Sequence, residues 1–335
     1  MWKNKKHVAS AYLKHLTWHK LGNYFLLWAS FHWSRWVKKP VLWGMPTTLS
    51  IEPTTSCNLR CPECPSGLRS FSRPTGMIDI DLFSSAINQS KKHLSYLHLY
   101  FQGEPYLHPG FLEMVKTADR AGIFTSTSTN AHYLNEENVN QTLKSGLKQL
   151  IVSMDGISQD VYQQYRIGGS LQKVQKGLSL LLQKRQDSGQ AYPRITLQFL
   201  VTGQNEHQIP ELHQWAEEIG VDEVELKTTQ IYNFENGSPL IPNDEKHSRY
   251  VRTKEGKWKL KKKQENKCWR MWQGAVLTWD GKLVPCCFDK DASHSMGNLQ
   301  DKPLAMIWKS RKYQEFRKQL LTDRKQIDIC KNCTE

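Results

Sequence analysis

The chain has 335 residues and a formal charge of +14, long enough for one large domain and a smaller one. Its eight cysteines, in a chain whose basic N-terminus shows no small-residue cleavage site after an apolar core, argue against a disulfide framework and for metal ligation in a reducing cytoplasm. The longest uncharged run near the N-terminus, Leu21 to Ser34, has 14 residues, short of the roughly 20 that a bilayer span requires.

Residues 1 to 47 hold seven lysines and Arg35 with no Asp or Glu, together with six of the twelve tryptophans (Trp2, Trp18, Trp28, Trp33, Trp36 and Trp43). Basic residues interleaved with Trp, Phe and Leu suit an interfacial helix on anionic lipid. A helix packing its aromatics on the main domain is the other reading, and base stacking on nucleic acid a weaker third. The expected location is therefore the cytoplasm, with membrane-surface contact through residues 1–47 left open.

From Thr48 strands and helices alternate. Strand-like runs are Thr48 to Glu52, Tyr96 to Phe101, Ile123 to Thr127, Gln149 to Met154, Ile195 to Val201 and Glu223 to Leu226. Between them, Phe111, Leu112, Val115 and Ala118 recur at helical spacing before Gly122, and Leu171, Val174, Leu178, Leu181 and Leu182 do so after Ser170 as N-cap. Alternation of this kind predicts βαβ units around a parallel sheet, an α/β fold of six units where a closed barrel has eight. In such sheets chemistry gathers at the carboxyl ends of the strands. From about 231 to 267 the pattern lapses into Asn, Gly and Pro and then a lysine run, which predicts a basic linker. Last comes Val276 to Val284, a β-hairpin turned at Asp280-Gly281, and a helix from about Pro303 to Leu321.

The first strand runs into Cys57-Asn58-Leu59-Arg60-Cys61-Pro62-Glu63-Cys64. Three thiolates in one short loop can ligate three irons of a four-iron cluster and leave the fourth open. A structural zinc would need a fourth partner, and the nearest downstream histidine, His93, lies beyond the next predicted helix. The loop resembles the signature of the radical S-adenosylmethionine (SAM) superfamily, with Glu63 at a position that is usually aromatic or apolar there.

That resemblance implies a partial (βα)6 TIM-type barrel, a 4Fe-4S cluster on Cys57, Cys61 and Cys64, and SAM on its open iron. Gln102-Gly103-Glu104-Pro105, after strand two, is similar to the family's GGEP segment, which assigns Gly103, Glu104 and Pro105 to the SAM amino group. Ser128-Thr129-Asn130 is similar to the segment near the ribose, with Ala131 in place of glycine. Ser153-Met154-Asp155-Gly156 matches the family's S-x-D-G, and Arg166 heads a segment resembling the one that pairs with the SAM carboxylate. The resemblance thus adds Thr129, Asn130, Ser153, Asp155 and Arg166 as cofactor-binding candidates.

The other five cysteines are Cys268, Cys286, Cys287, Cys330 and Cys333. Four cysteines around a hairpin also suit tetrahedral zinc, so zinc and iron–sulfur both stay open on the residues alone. The layout resembles the SPASM/twitch auxiliary domain of radical SAM enzymes, which implies one auxiliary 4Fe-4S cluster on Cys268, Cys286, Cys330 and Cys333. The resemblance covers residues 48–335, read as a partial barrel (48–230), a linker (231–267) and an auxiliary-cluster domain (268–335). Cys287 stands where related enzymes have an aspartate that acts as catalytic base, with Asp289 two residues on; base, proton relay, alternative ligand and buried thiol are its open roles.

These parts imply reductive cleavage of SAM to a 5′-deoxyadenosyl radical, then oxidation or crosslinking of a peptide or a small carbohydrate-like molecule. The partners expected are that substrate and an external electron donor of the flavodoxin or ferredoxin type. A redox-neutral or methyl- or sulfur-transferring enzyme, and a non-catalytic SAM- and cluster-binding electron carrier, are the rival readings.

Overall fold

The computed structural model describes residues 15–334; Trp2 and the rest of the arm before residue 15, and Glu335, lie outside the described residues. The first described element is helix α1 (Trp18–Val37), capped by Thr17, whose Oγ1 accepts from the Lys20 amide at 3.3 Å. Six strands follow: β1 (Thr48–Ile51), β2 (Tyr96–His98), β3 (Phe124–Thr129), β4 (Gln149–Ser153), β5 (Arg194–Val201) and β6 (Glu223–Thr228). Each pairs in parallel with the next. Between them run α2 (Pro65–Leu68), α3 (Ile80–Ser90), α4 (Phe111–Arg120), α5 (Glu136–Lys144), α6 (Gln159–Tyr165), α7 (Leu171–Asp187) and α8 (Ile209–Ile219). This is the expected partial (βα)6 architecture.

The helices form where periodicity and capping agree. Asp79 caps α3 by accepting from the Asp81 and Leu82 amides, and Ser170 caps α7 by accepting from the Lys173 amide. Their apolar stripes, such as Val174, Leu178 and Leu181 on α7, are fully buried against the sheet. Burying one such leucine contributes about 1.5–3 kcal/mol. Strand β2 is shorter than the sequence reading, because Tyr100 and Phe101 leave the ladder and turn toward the carboxyl end of the sheet.

Residues 231–267 carry an antiparallel ribbon, β7 (Tyr250–Arg252) with β8 (Trp258–Leu260). A short helix α9 (Arg270–Gln273) then leads into β9 (Gly274–Leu277), β10 (Lys282–Val284) and β11 (Gly297–Asn298). The hairpin turns at Asp280-Gly281 as expected, with Gly281 at φ +83°. Strand β9 is parallel to β1, so nine strands form one continuous sheet in the order β11-β10-β9-β1-β2-β3-β4-β5-β6. The last helical stretch is broken into α10 (Leu304–Trp308) and α11 (Arg311–Asp323), because Ser310 caps a new helix through the Tyr313 amide.

Candidate active site

The cysteine loop hangs from β1 and is fixed on every side. The Arg60 amide donates to the Ile167 carbonyl at 2.9 Å, and Cys64 itself starts α2, with the Leu68 amide donating to its carbonyl at 2.8 Å. A Cβ on Gly67 would fall 2.5 Å from the Cys61 nitrogen, so only glycine lets α2 press this close to the thiols. Gly103, at φ +72°, plays the same part against Thr54, where a Cβ would meet the carbonyl oxygen at 2.3 Å. The three thiols are each met by a side chain from elsewhere in the chain. Asn130 Nδ2 lies 3.9 Å from Cys57 Sγ, Arg166 Nη1 lies 3.8 Å from Cys61 Sγ, and Cys64 Sγ lies 3.9 Å from Gln102 Oε1.

Cys57, Cys61 and Cys64 line a cavity of about 210 Å³ with Gly103, Glu104, Thr129, Asn130, Ser153 and Arg166. So four separate strand ends deliver their expected polar residues to one space. Glu104 is buried, accepting from Thr129 Oγ1 and the Asn130 amide, each at 2.7 Å. Burial pushes its carboxyl up to about 7 against the pull of those donors. Burial likewise pushes the Cys57 thiol up to about 11, so this thiol is neutral by itself and would release its proton on binding iron.

Two expected contacts stand back from the cavity. Asp155 is 1% exposed and is spent on Arg166 Nε and, at 2.7 Å, on the Leu200 amide, so it aims the guanidinium rather than lining the space. Pro105 is buried at the start of a 3₁₀ turn that sets the Glu104 backbone. Tyr100, Phe101, Tyr165, Gln198 and Leu200 also line the cavity and were not singled out from the sequence. Only their places at or beyond the ends of β2, α6 and β5 could have marked them. A second cavity of about 340 Å³ adjoins it through Cys64, Phe101, Gly103, Tyr165 and Leu200, and adds Glu63, Gln102, Arg249 and Lys290. Glu63 accepts from the Tyr232 amide at 3.0 Å, which ties the 231–267 segment to the cysteine loop.

The C-terminal cysteines come from three places in the chain. Burial pushes the Cys286 thiol well up, and Cys287, Cys268 and Cys330 push it the same way. Cys333 adds to the rise at Cys268 and at Cys330. Arg324 Nη2 donates to Cys333 Sγ at 3.1 Å, and Gln264 Nε2 donates to the Cys330 and Cys333 carbonyls. An all-thiol donor set with a cation beside it has the chemistry of iron–sulfur ligation. Cys287 turns its thiol to Arg270, 3.7 Å away. Asp289, the other candidate base, accepts from the Ser293 amide and hydroxyl and from the His294 amide, and it lines neither cavity.

Thiols grouped at the mouth of a parallel half-barrel, beside a pocket with an acid for an ammonium and a guanidinium for a carboxylate, define a SAM-dependent iron–sulfur enzyme. The chain belongs to the radical SAM superfamily: that family matches residues 51–216, and the SPASM family, an iron-sulfur cluster-binding domain, matches residues 268–334. Its cofactors are accordingly SAM, the 4Fe-4S cluster that binds it, and auxiliary iron–sulfur, which decides against zinc in the C-terminal domain.

The chain is 28% identical over 322 residues to the tungsten-containing aldehyde ferredoxin oxidoreductase cofactor-modifying protein of Pyrococcus furiosus, covering 85% of this chain and 86% of that one. It is 27% identical over 281 residues to the PqqA peptide cyclase of Gluconobacter oxydans, covering 78% and 76% respectively. Among solved structures, anSMEcpe with bound AdoMet shares the fold with a TM-score of 0.63, at 17% identity and 85% coverage of both chains.

Proposed function

We propose that this radical SAM enzyme oxidises or crosslinks a peptide. The observation that carries the reading is the convergence of Cys57, Cys61 and Cys64 with Glu104, Thr129, Asn130, Ser153 and Arg166 on one cavity, next to a second chamber large enough for a side chain and its flanking amides. The likeness to a PqqA peptide cyclase over 78% of the chain favours a peptide. When bound, the two iron–sulfur clusters and SAM supply an electron, a 5′-deoxyadenosyl radical to remove a substrate hydrogen atom, and an acceptor for the electron that the oxidised substrate gives up.

The protein's own residues do the positioning. Cys57, Cys61 and Cys64 hold three irons; Glu104 and the Gly103 carbonyl receive the SAM ammonium. Arg166, aimed by Asp155, pairs with the SAM carboxylate, while Thr129, Asn130 and Ser153 bind the ribose hydroxyls. Cys268, Cys286, Cys330 and Cys333 would hold the auxiliary group, and Cys287 stays a partly buried thiol beside Arg270. Glu63, Gln102, Arg249 and Lys290 present donors and acceptors for peptide amides in the second chamber. A flavodoxin- or ferredoxin-type donor delivers the first electron from outside.

The test supplies the anaerobically reconstituted protein with SAM, dithionite, and peptide or small-molecule fractions from its native host grown in heavy water. Deuterium appearing in 5′-deoxyadenosine only with the peptide fraction supports the reading. Transfer from the small-molecule fraction overturns the peptide assignment, and no 5′-deoxyadenosine at full iron content overturns the catalytic one.

A further inference from the structure

Helix α1 is built inside out. The residues it turns to the domain are Lys20, Asn23, Leu27, Ser30, Phe31 and Ser34, four of them polar. Each polar one has a fixed partner. Lys20 Nζ donates to the Gly122 carbonyl at 2.7 Å, Asn23 holds both the amide and the carbonyl of Met45 at 2.8 Å, and Ser34 takes the Val41 amide at 2.8 Å. The outward positions, at helical spacing, are Trp18, Leu21, Phe25, Trp28 and Trp36. Trp18 is 90% exposed, Trp36 74% and Phe25 62%. Of the fifteen large hydrophobic side chains exposed among the described residues, nine lie between Trp18 and Trp43. Such a concentration marks an interaction face rather than scattered surface residues.

We propose that this face lies on an anionic lipid surface. Charge selects the partner: residues 1–47 carry +8 and no acid, so two copies would bring like charges together, whereas acidic headgroups complement them. Tryptophan is the residue suited to the headgroup level. No described helix is long and apolar enough to cross a membrane, so α1 rests in the plane of the surface.

The contacts of α1 also fix which way the enzyme faces. Gly122 precedes β3, Met45 precedes β1, and Phe31 packs on Trp272 of α9, just before β9. All are at the amino ends of the strands, while the cavity is at the carboxyl ends. The enzyme therefore sits on the lipid by its base, with its mouth toward water, and takes substrate and electrons from solution.

The test uses the full, iron-loaded chain in flotation with vesicles of phosphatidylcholine alone and of phosphatidylcholine mixed with phosphatidylglycerol. The wild type should float with the anionic vesicles, less so at high salt. A Phe25→Glu/Trp36→Glu double variant should lose binding by about a hundredfold or more, since two exposed rings no longer enter the lipid surface and two like charges are set against it. It should still form 5′-deoxyadenosine. Absence of anionic-vesicle binding, or equal binding by the double variant, overturns the proposal. So does concentration-dependent dimerisation that the double variant abolishes, which would make the occupant a second copy.

Discussion

The two cysteine sites of this molecule are assembled in opposite ways. Cys57, Cys61 and Cys64 share one loop, and adjacency in the chain alone brings them together. Cys268, Cys286, Cys330 and Cys333 are spread along the chain, and only the docking of β9 in parallel on β1, the fold-back of the hairpin and the return of α11 bring their segments toward one another. The first site depends on the fold for its surroundings; the second depends on it for its existence. A local site should therefore fail alone, and a distributed one should fail with whatever holds the sheet together.

Replacing Cys57, Cys61 and Cys64 together by alanine tests the first half and has the largest expected effect. SAM cleavage should fall to the detection limit, while iron bound through the C-terminal cysteines stays and the EPR signal no longer responds to SAM. Loss of all iron would mean that the two sites are not separable, and the contrast would fail.

Arg73 tests the second half. It forms a bidentate pair with Glu52, Nη1 to Oε2 at 2.8 Å and Nη2 to Oε1 at 2.6 Å, with both side chains nearly inaccessible. Glu52 also accepts from the Trp279 amide, and Arg73 Nε donates to the Lys290 carbonyl at 3.0 Å. One ion pair thus joins β1, the segment after the cysteine loop and the C-terminal hairpin. Arg73→Met leaves Glu52 buried without its partner and should cost about 3–5 kcal/mol, read as a shift of the denaturation midpoint. Auxiliary iron should be lost before catalytic iron; the reverse order would mean that the hairpin stands without this seam.

The same contrast explains what could be read from the sequence. Six strands, the cysteine loop and the segments at the strand ends are short-range patterns, and they stand where strand alternation and the carboxyl-end rule place them. The continuity of β9 with β1, the Arg73–Glu52 seam and the turn-anchoring role of Asp289 are contacts across long stretches of chain, and no local periodicity encodes them. Helix α1 leaves a lipid-facing and a domain-packing reading open in the sequence for a different reason: hydrogen bonds from Lys20, Asn23 and Ser34 orient its polar side inward, an outcome that hydrophobicity alone does not encode.

The last prediction separates the sites by pH. The cavity beside the first site contains Glu104, whose carboxyl burial raises to about 7, while the thiols of the second are flanked by Arg324, a cation at any working pH. A raised carboxyl means that the folded, SAM-free protein holds a proton more tightly than the unfolded chain. Its stability contribution is therefore greatest below the ordinary carboxylate range and declines as pH rises toward 7. SAM binding has the opposite sign, because its ammonium needs the carboxylate. Affinity should fall above about pH 8, where the SAM ammonium itself loses its proton, and should weaken by about tenfold for each pH unit below 7. Glu104→Gln should bind more weakly and abolish that slope, whereas auxiliary iron content should not change across the same range. A slope that persists in Glu104→Gln would assign the ammonium to another group in the cavity.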